Sequence, residues 1–289
     1  MRSLRVLVHD SARHSARTKV CAAEEMRHKP MRTRSKFVAA VALAAVGGLA
    51  LSGCTSTAGD SKLIDSASLT ACSEAQYPPF ERPEGDKIVG IDADISSEIA
   101  KDLGVDLKQV NTAFEGLQSG QDLDNKKCDI AISAITINDE RKTKMDFSEP
   151  YFHDDLAVVV PKGSSVTSAD QALDGTHTIA VQDATTGQEY VTGKGLQPQG
   201  FEDATLAATQ VSNGSIDVLI DQVAPASEHL KNFDNLQMVA TIPTGESYGI
   251  AVRKDNSQLL DSVNKTLKRI QDDGTLQSIF DKYGVKATA

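Results

Sequence analysis

Two stretches that resemble each other constrain how this chain can fold. Leu156-Ala157-Val158-Val159-Val160-Pro161-Lys162 and Gly249-Ile250-Ala251-Val252-Arg253-Lys254 each end an apolar run in a basic residue, and a complete set of strand-like and helical segments lies between them. The natural architecture is one lobe interrupted by another and joined to it by two extended strands. A cleft then forms between the lobes, and the paired strands serve as its hinge. The expected division is 66–160 with 250–289 as the first lobe and 161–249 as the second.

The rest of the pattern agrees with that outline. Strand-like runs at Leu69–Cys72, Ile88–Ile91, Leu107–Val110, Asp129–Ile132, Thr178–Val181, Ile216–Ile220, Leu236–Val239 and Tyr248–Val252 alternate with amphipathic helices. Ile95, Ile99 and Leu103 mark one helical face, with Asp94 as its expected cap and Gly104 closing it. Another helix runs through Leu206 to Ser212. Leu259, Leu260, Val263, Leu267 and Ile270 form a stripe before Gly274, and Leu276, Ile279 and Phe280 share a face of a short last helix. Such alternation predicts an α/β fold with two mostly parallel sheets.

The first 65 residues carry different information. Arg32, Arg34 and Lys36 precede an Ala-rich apolar run that stops at Leu51-Ser52-Gly53-Cys54. This is the pattern of a secretory signal over 31–53 whose terminal cysteine, Cys54, takes a diacylglyceryl anchor. The run from Phe37 to Ser52 holds 16 residues, short of the roughly 20 that cross a bilayer. Residues 1–30 have neither periodicity nor a signal-like core; translation is expected to begin at Met31 or Met26, leaving that segment a start-site artefact or disordered. Ser, Thr and Gly after Cys54 make 54–65 a flexible linker. No second run is long enough to span a membrane, so a lipid-anchored domain on the extracytoplasmic face of the cell membrane is expected.

Charge excludes one class of partner. Residues 1–53 hold ten Lys and Arg against three Asp and Glu, which leaves the remaining 236 residues with a formal charge of −17. Nucleic-acid phosphates need Lys and Arg patches, so no nucleic acid is expected. Four cysteines are present. With Cys21 in the leading segment and Cys54 lipidated, Cys72 and Cys128 are left, and outside the cytoplasm such a pair is expected to be bridged rather than two buried thiols.

Chemistry-bearing residues are densest in Ser133-Ala134-Ile135-Thr136-Ile137-Asn138-Asp139-Glu140-Arg141, where a strand ends in a polar turn. The planar guanidinium fork of Arg141 matches a carboxylate, and backbone N–H groups at a strand end can share the anion. Gly245-Glu246-Ser247-Tyr248-Gly249 matches the G-x-S-x-G pattern of a hydrolase elbow. A strand-like run follows it where a helix is required, and the last histidine, His229, precedes the serine. His153, His177 and His229 lack metal spacing, and neither a phosphate-binding Gly-Lys-Ser/Thr loop nor GxGxxG occurs. Neither metal nor cofactor is expected, nor an enzyme.

An ordered set of short motifs completes the picture: Tyr77-Pro78-Pro79-Phe80-Glu81, Gly90-Ile91-Asp92-Ala93-Asp94-Ile95, Asn111-Thr112-Ala113-Phe114-Glu115-Gly116-Leu117, the Ser133–Arg141 run with Asp146-Phe147-Ser148, Tyr248-Gly249-Ile250-Ala251-Val252 and Asp273-Gly274-Thr275-Leu276. The set resembles the family 3 solute-binding proteins of bacterial amino-acid ABC importers over about residues 66–285. The resemblance implies a two-lobed periplasmic-binding-protein-like fold of type II. It also implies a monomer that binds a free amino acid and hands it to an ABC permease and its ATPase. Carried over, Arg141 clamps the ligand carboxylate with Ser133, Ala134 and Thr136 beside it, while Gln182, Thr185 and Thr186 meet the ligand from across the cleft. Tyr77, Phe80 and Phe114 line the pocket, and Asp221 receives the ammonium. Asp221 follows Asp217 by four residues where the family has five, and Ala184 stands where the family has Gly. Glu74 would face the ligand side chain and favour a cationic or amide group. The alternatives on the same fold are a sensing lobe that reports to a membrane receptor and an enzyme such as a dehydratase of cyclic acids.

Overall fold

A computed structural model describes residues 63–286. The expected signal, Cys54 and nearly all of the linker lie outside the described residues. Two five-stranded sheets carry the fold. The first has the order Asp106–Asn111, Ser68–Ser73, Ile130–Ala131, Ala251–Val252, Asp146–Phe147, and the second Leu236–Tyr248, Phe152–Pro161, Val218–Gln222, Ile179–Gln182, Gln199–Phe201.

Each sheet holds two parallel and two antiparallel pairings. The α/β class stands, but "mostly parallel" is corrected to mixed. The parallel pairs come from strand–helix–strand units. Phe152–Pro161, where the chain enters the second sheet, and Ala251–Val252, where it returns to the first, run against those units.

The expected hinge pair is also corrected. Leu156–Val160 lies inside Phe152–Pro161 and pairs with Val218–Gln222 and Leu236–Tyr248, not with Ile250–Val252. The expected division after residue 160 thus falls within a strand of the second sheet. The chain crosses between Phe147 and Phe152 and returns between Tyr248 and Ala251. These two crossings are bonded together: Tyr151 N–H donates to Tyr248 O at 3.0 Å and Ser148 N–H to Ile250 O at 2.9 Å. Gly249 N–H also donates to Ile135 O at 3.0 Å.

The all-apolar run at 156–160 has a simple cause. Strand side chains alternate between faces, so Leu156, Val158 and Val160 pack with Val181, Val191 and Ile220 on one side. Ala157 and Val159 pack with Ala207, Ala208 and Val211 of helix Ala204–Ser212 on the other. Both faces are covered, and no polar alternation survives. On the first sheet, helices Ile91–Leu103, Ser257–Asp272 and Thr275–Lys282 cover one face, burying Ile95, Ile99, Leu259, Val263, Leu267, Ile270 and Phe280. The helical stripes therefore form where the periodicity places them.

One helix start differs. Gly90, not Asp94, precedes the helix Ile91–Leu103, and Asp94 lies in its first turn. Gly90 has φ 145°, and a Cβ there would stand 2.0 Å from Phe80 O. Only glycine lets the chain pass this close to the Phe80 backbone and turn at once into the helix. The other end agrees with expectation: Gly104 closes the helix at φ 71°.

Opposite those helices, Cys72 and Cys128 form a disulfide with Cα atoms 5.7 Å apart. It is buried beside Phe114, Leu117 and Leu123. No helix among the described residues is long and apolar enough to cross a membrane.

Candidate functional site

The strands of both sheets end at a common cleft, the place where open α/β sheets offer ligand sites. Glu74 follows Ser68–Ser73, Ser133 follows Ile130–Ala131, and Gln182 and Gln222 end their own strands. Together with Tyr77, Phe114, Ala134, Thr136, Arg141, Thr185 and Thr186 they line one small space between the sheets.

Arg141 sits in the short helix Asp139–Lys144, whose cap Asn138 accepts from Arg141 N–H at 2.8 Å. Its side chain is turned inward and is 1 % exposed. Nη1 donates to Thr136 O and Nη2 to Ala184 O, each at 3.1 Å, and the guanidinium stacks 5.4 Å above the Phe114 ring. Burial pulls the guanidinium below its usual range, while Glu189 and Glu246 oppose that shift. Ala184 and Ala134 both hold left-handed backbone, at φ 63° and 44°. Strain of this kind costs on the order of 1–3 kcal/mol and persists where surrounding structure fixes it. At Ala184 it accompanies a carbonyl bonded to Arg141; at Ala134 the N–H is held by Asp92 Oδ2 at 2.8 Å.

At a second position in the cleft, Gln182 Nε2 donates to Glu74 Oε2 at 2.6 Å, joining the two lobes. Tyr77 O–H reaches Asp221 Oδ1 at 3.2 Å and also meets Gln222 Oε1. Glu246 Oε2 accepts from Thr186 Oγ1 at 2.8 Å and from Thr136 Oγ1 at 3.2 Å, one threonine from each lobe. Thr185 caps helix Thr186–Gly193, whose first N–H groups have no partner within the helix. An anion is favoured at such an end.

Phe80 is placed elsewhere than expected. It is fully buried behind Tyr77, packed on Phe152 and Tyr248 with ring centroids 5.3 Å away, so it supports the pocket floor and does not line it. Asp221 does not line the space either. It is 5 % exposed, and its Oδ2 lies 3.3 Å from His229 Nε2. Sequence reasoning missed Gln222 and Glu246. Gln222 ends a strand beside Asp221, and a strand's carboxyl end is the signal that could have revealed it. Glu246 was hidden in the apparent Gly245–Gly249 elbow, which lies in strand up to Tyr248.

Below the site, Glu81 and Asp92 are buried together with Ser133, whose hydroxyl meets Glu81 Oε1 and accepts from Glu74 N–H at 3.1 Å. Tyr151 O–H donates to Asp92 Oδ1 at 2.8 Å. Burial drives Glu74 up to about 7 against the bond from Gln182, lifts Asp92 and Asp154 each to about 6, and raises Glu81 strongly. A carboxyl raised in the folded state keeps its proton over a range where the unfolded chain has lost it. Its contribution to stability is therefore greatest in acid and is lost as pH rises from about 4 to about 7. The ligand-free protein is expected to melt a few degrees higher near pH 5 than near pH 8, and Glu74→Gln to flatten that slope; paired thermal melts measure both.

Among the described residues no group of three or more His, Cys, Asp or Glu is arranged to hold a metal ion. A cleft between two mixed α/β lobes, with a buried arginine and a buried acid facing one small space, defines a two-lobed ligand-binding protein.

Residues 69–286 match the family of bacterial extracellular solute-binding proteins, family 3, and the chain belongs to that family. The L-cystine-binding protein TcyJ of Escherichia coli (strain K12) is 30% identical over 256 residues, covering 86% of this chain and 95% of that protein. The ABC transporter arginine-binding protein 1 of the same strain is 32% identical over 217 residues, covering 72% and 87%. Among solved structures, the arginine-bound form of truncated ArgBP from T. maritima is 36% identical with a TM-score of 0.67, covering 71% of this chain and 96% of that one.

Proposed function

We propose that this chain captures a polar amino acid, with a cationic or amide side chain favoured, by closing its two lobes and delivers it to an ABC permease driven by its ATPase. The observation that carries this reading is that Arg141 and Glu74, both buried, line one space between the lobes. A guanidinium there suits an α-carboxylate. A carboxylate in the same space suits a guanidinium, ammonium or amide. Thr136, Thr186 and the helix start at Thr185 can share the carboxylate, and Tyr77, backed by Asp221, can take the ammonium. A few charge-assisted bonds of about 1.5–3 kcal/mol each suffice for micromolar binding, about −8 kcal/mol. The cystine- and arginine-binding relatives support the amino-acid class.

Closure follows population shift: ligand held by one lobe gains contacts from the other and favours the closed form. The protein carries no chemistry of its own in this reading. Exported by the segment 31–53 and tethered through a lipid on Cys54, it works on the extracytoplasmic face of the membrane as a monomer.

Isothermal titration against the twenty amino acids and cystine, after unfolding and refolding to strip carried ligand, tests the reading. Saturable binding of arginine, lysine, histidine or glutamine is expected without binding of glutamate. Glu74→Gln should weaken a cationic ligand about tenfold or more, by removing one charge-assisted bond, and glutamine less. Tight glutamate binding would take Glu74 out of the selector role, and silence across the set would overturn the amino-acid assignment.

A further inference from the structure

We infer that His229 is a positioning residue that couples ligand capture to proton release through Asp221, an inference that rests on the amino-acid reading above. His229 lies in helix Val223–Asn232 and is 1 % exposed. Its Nε2 stands 3.3 Å from Asp221 Oδ2, an ion-pair distance, and neither atom makes a hydrogen bond. The other oxygen, Asp221 Oδ1, accepts from Gln222 N–H at 2.8 Å and from Tyr77 O–H in the cleft wall at 3.2 Å. The histidine thus sits behind the carboxylate, on the side away from Tyr77's hydroxyl.

Other charged groups on the packed elements are engaged elsewhere. The helix packs on Phe152–Pro161, Val218–Gln222 and Leu236–Tyr248. On the first, Asp154 Oδ2 accepts from Ala224 N–H and Tyr248 O–H, Asp155 Oδ1 accepts from Thr244 and Gly245 N–H, and His153 Nδ1 meets Ser247 Oγ. On the third, Glu246 holds the two threonines of the cleft. On the helix itself, Glu228 pairs with Lys231. Asp221 is the group at ion-pair distance from the His229 ring.

Neutral His229 leaves the negative charge of Asp221 uncompensated behind the Tyr77 hydroxyl, where it attracts a ligand ammonium in the cleft. Protonated His229 places a cation against Oδ2, compensates that charge and repels the ammonium in a buried setting where such effects are strong. Ammonium binding and His229 protonation therefore oppose each other. By linkage the coupling is reciprocal, so a ligand whose ammonium meets Tyr77 in front of Asp221 expels the proton. Histidine is the side chain suited to this in the range of about pH 5–8.

Calorimetric titration of L-arginine, L-glutamine and L-cystine into the unmodified protein and into His229→Gln, near pH 5.5 and near pH 7.5, tests the inference. Glu74 and Asp154 titrate in the same range but are present in both proteins, so the difference between the two isolates His229. The unmodified protein should lose about five- to tenfold more affinity on acidification than His229→Gln, as a coupling of about one pKa unit requires. Near pH 6, buffers of different ionisation heat should reveal more proton release in the unmodified protein. Equal pH dependence and equal proton release in the two proteins overturns the inference and leaves the amino-acid reading intact. Failure of the unmodified protein to bind any of the three, or any other amino acid, overturns both. Should His229→Gln not fold, NMR titration of the His229 ring in the unmodified protein gives the same answer: ligand should move it to lower pH, and an unmoved titration overturns the proposal.

Discussion

Arg141→Ala is expected to lower amino-acid affinity by more than about a hundredfold while the protein still folds. The guanidinium is turned into the cleft by a capped helix and held by two carbonyls, Thr136 O in the first lobe and Ala184 O in the second. It therefore enters a ligand complex already oriented, with little side-chain freedom left to lose. Two parallel charge-assisted bonds to a carboxylate contribute roughly 3–6 kcal/mol, and each 1.4 kcal/mol is a factor of ten. Arg141→Lys should fall between the two, since it keeps the charge and loses the fork. The core of each lobe does not depend on Arg141, so circular dichroism should be unchanged. Melting should fall by only a few degrees as one bridge between the lobes is lost. Unchanged affinity in a folded variant would remove Arg141 from the carboxylate role.

Loss of the Cys72–Cys128 bridge is the second large effect. The bond closes a loop across 56 residues, which in the chain-entropy model contributes roughly 4 kcal/mol. For a protein of this size that corresponds to about 8–16 °C in melting temperature. The double variant Cys72→Ala/Cys128→Ala, or reduction of the unmodified protein, should show it in a calorimetric scan. An affinity loss should accompany it, because the bridge lies just before both ends of the site. Cys72 precedes Ser73 and Glu74 in one chain segment, and Cys128 precedes Ile130, Ala131 and Ser133 in the other. A melting temperature unchanged on reduction would mean that packing of Phe114, Leu117 and Leu123 holds these segments without the covalent tie.

The alternation of apolar runs and helical stripes was enough to place the helices Ala204–Ser212, Ser257–Asp272 and Thr275–Lys282 and the two-lobed α/β class. Strand direction was not legible, because an all-apolar run such as Leu156–Val160 announces burial on both faces and says nothing about which neighbour it joins. For the same reason its likeness to Ile250–Val252 misled: both are central strands, but of different sheets. The start of helix Ile91–Leu103 was hidden by a close approach between Gly90 and Phe80, a tertiary contact with no local signature. Within the site, Arg141, Glu74 and the threonines come together where the motifs imply. Phe80 and Asp221 lie one layer back, since a motif fixes neighbours along the chain and not which of two adjacent aromatic rings faces the space. The partnership of Asp221 with His229 joins a strand end to the last turns of the next helix, and the spacing of histidines alone does not disclose it.

If Glu74 meets the solute side chain as proposed, its bond to Gln182 gives the cleft a built-in competitor. A solute side chain that claims the Glu74 carboxylate must displace an amide already seated there at 2.6 Å. What it gains is the difference between two partners of the same acid, not the whole strength of a new bond. A neutral amide breaks even in that exchange, and a side chain without a donor loses by it. A guanidinium or ammonium gains the excess of a charged donor over a neutral one. In the proposed reading the protein thereby discounts weak solutes at closure, with selectivity written into a contact between its own two halves.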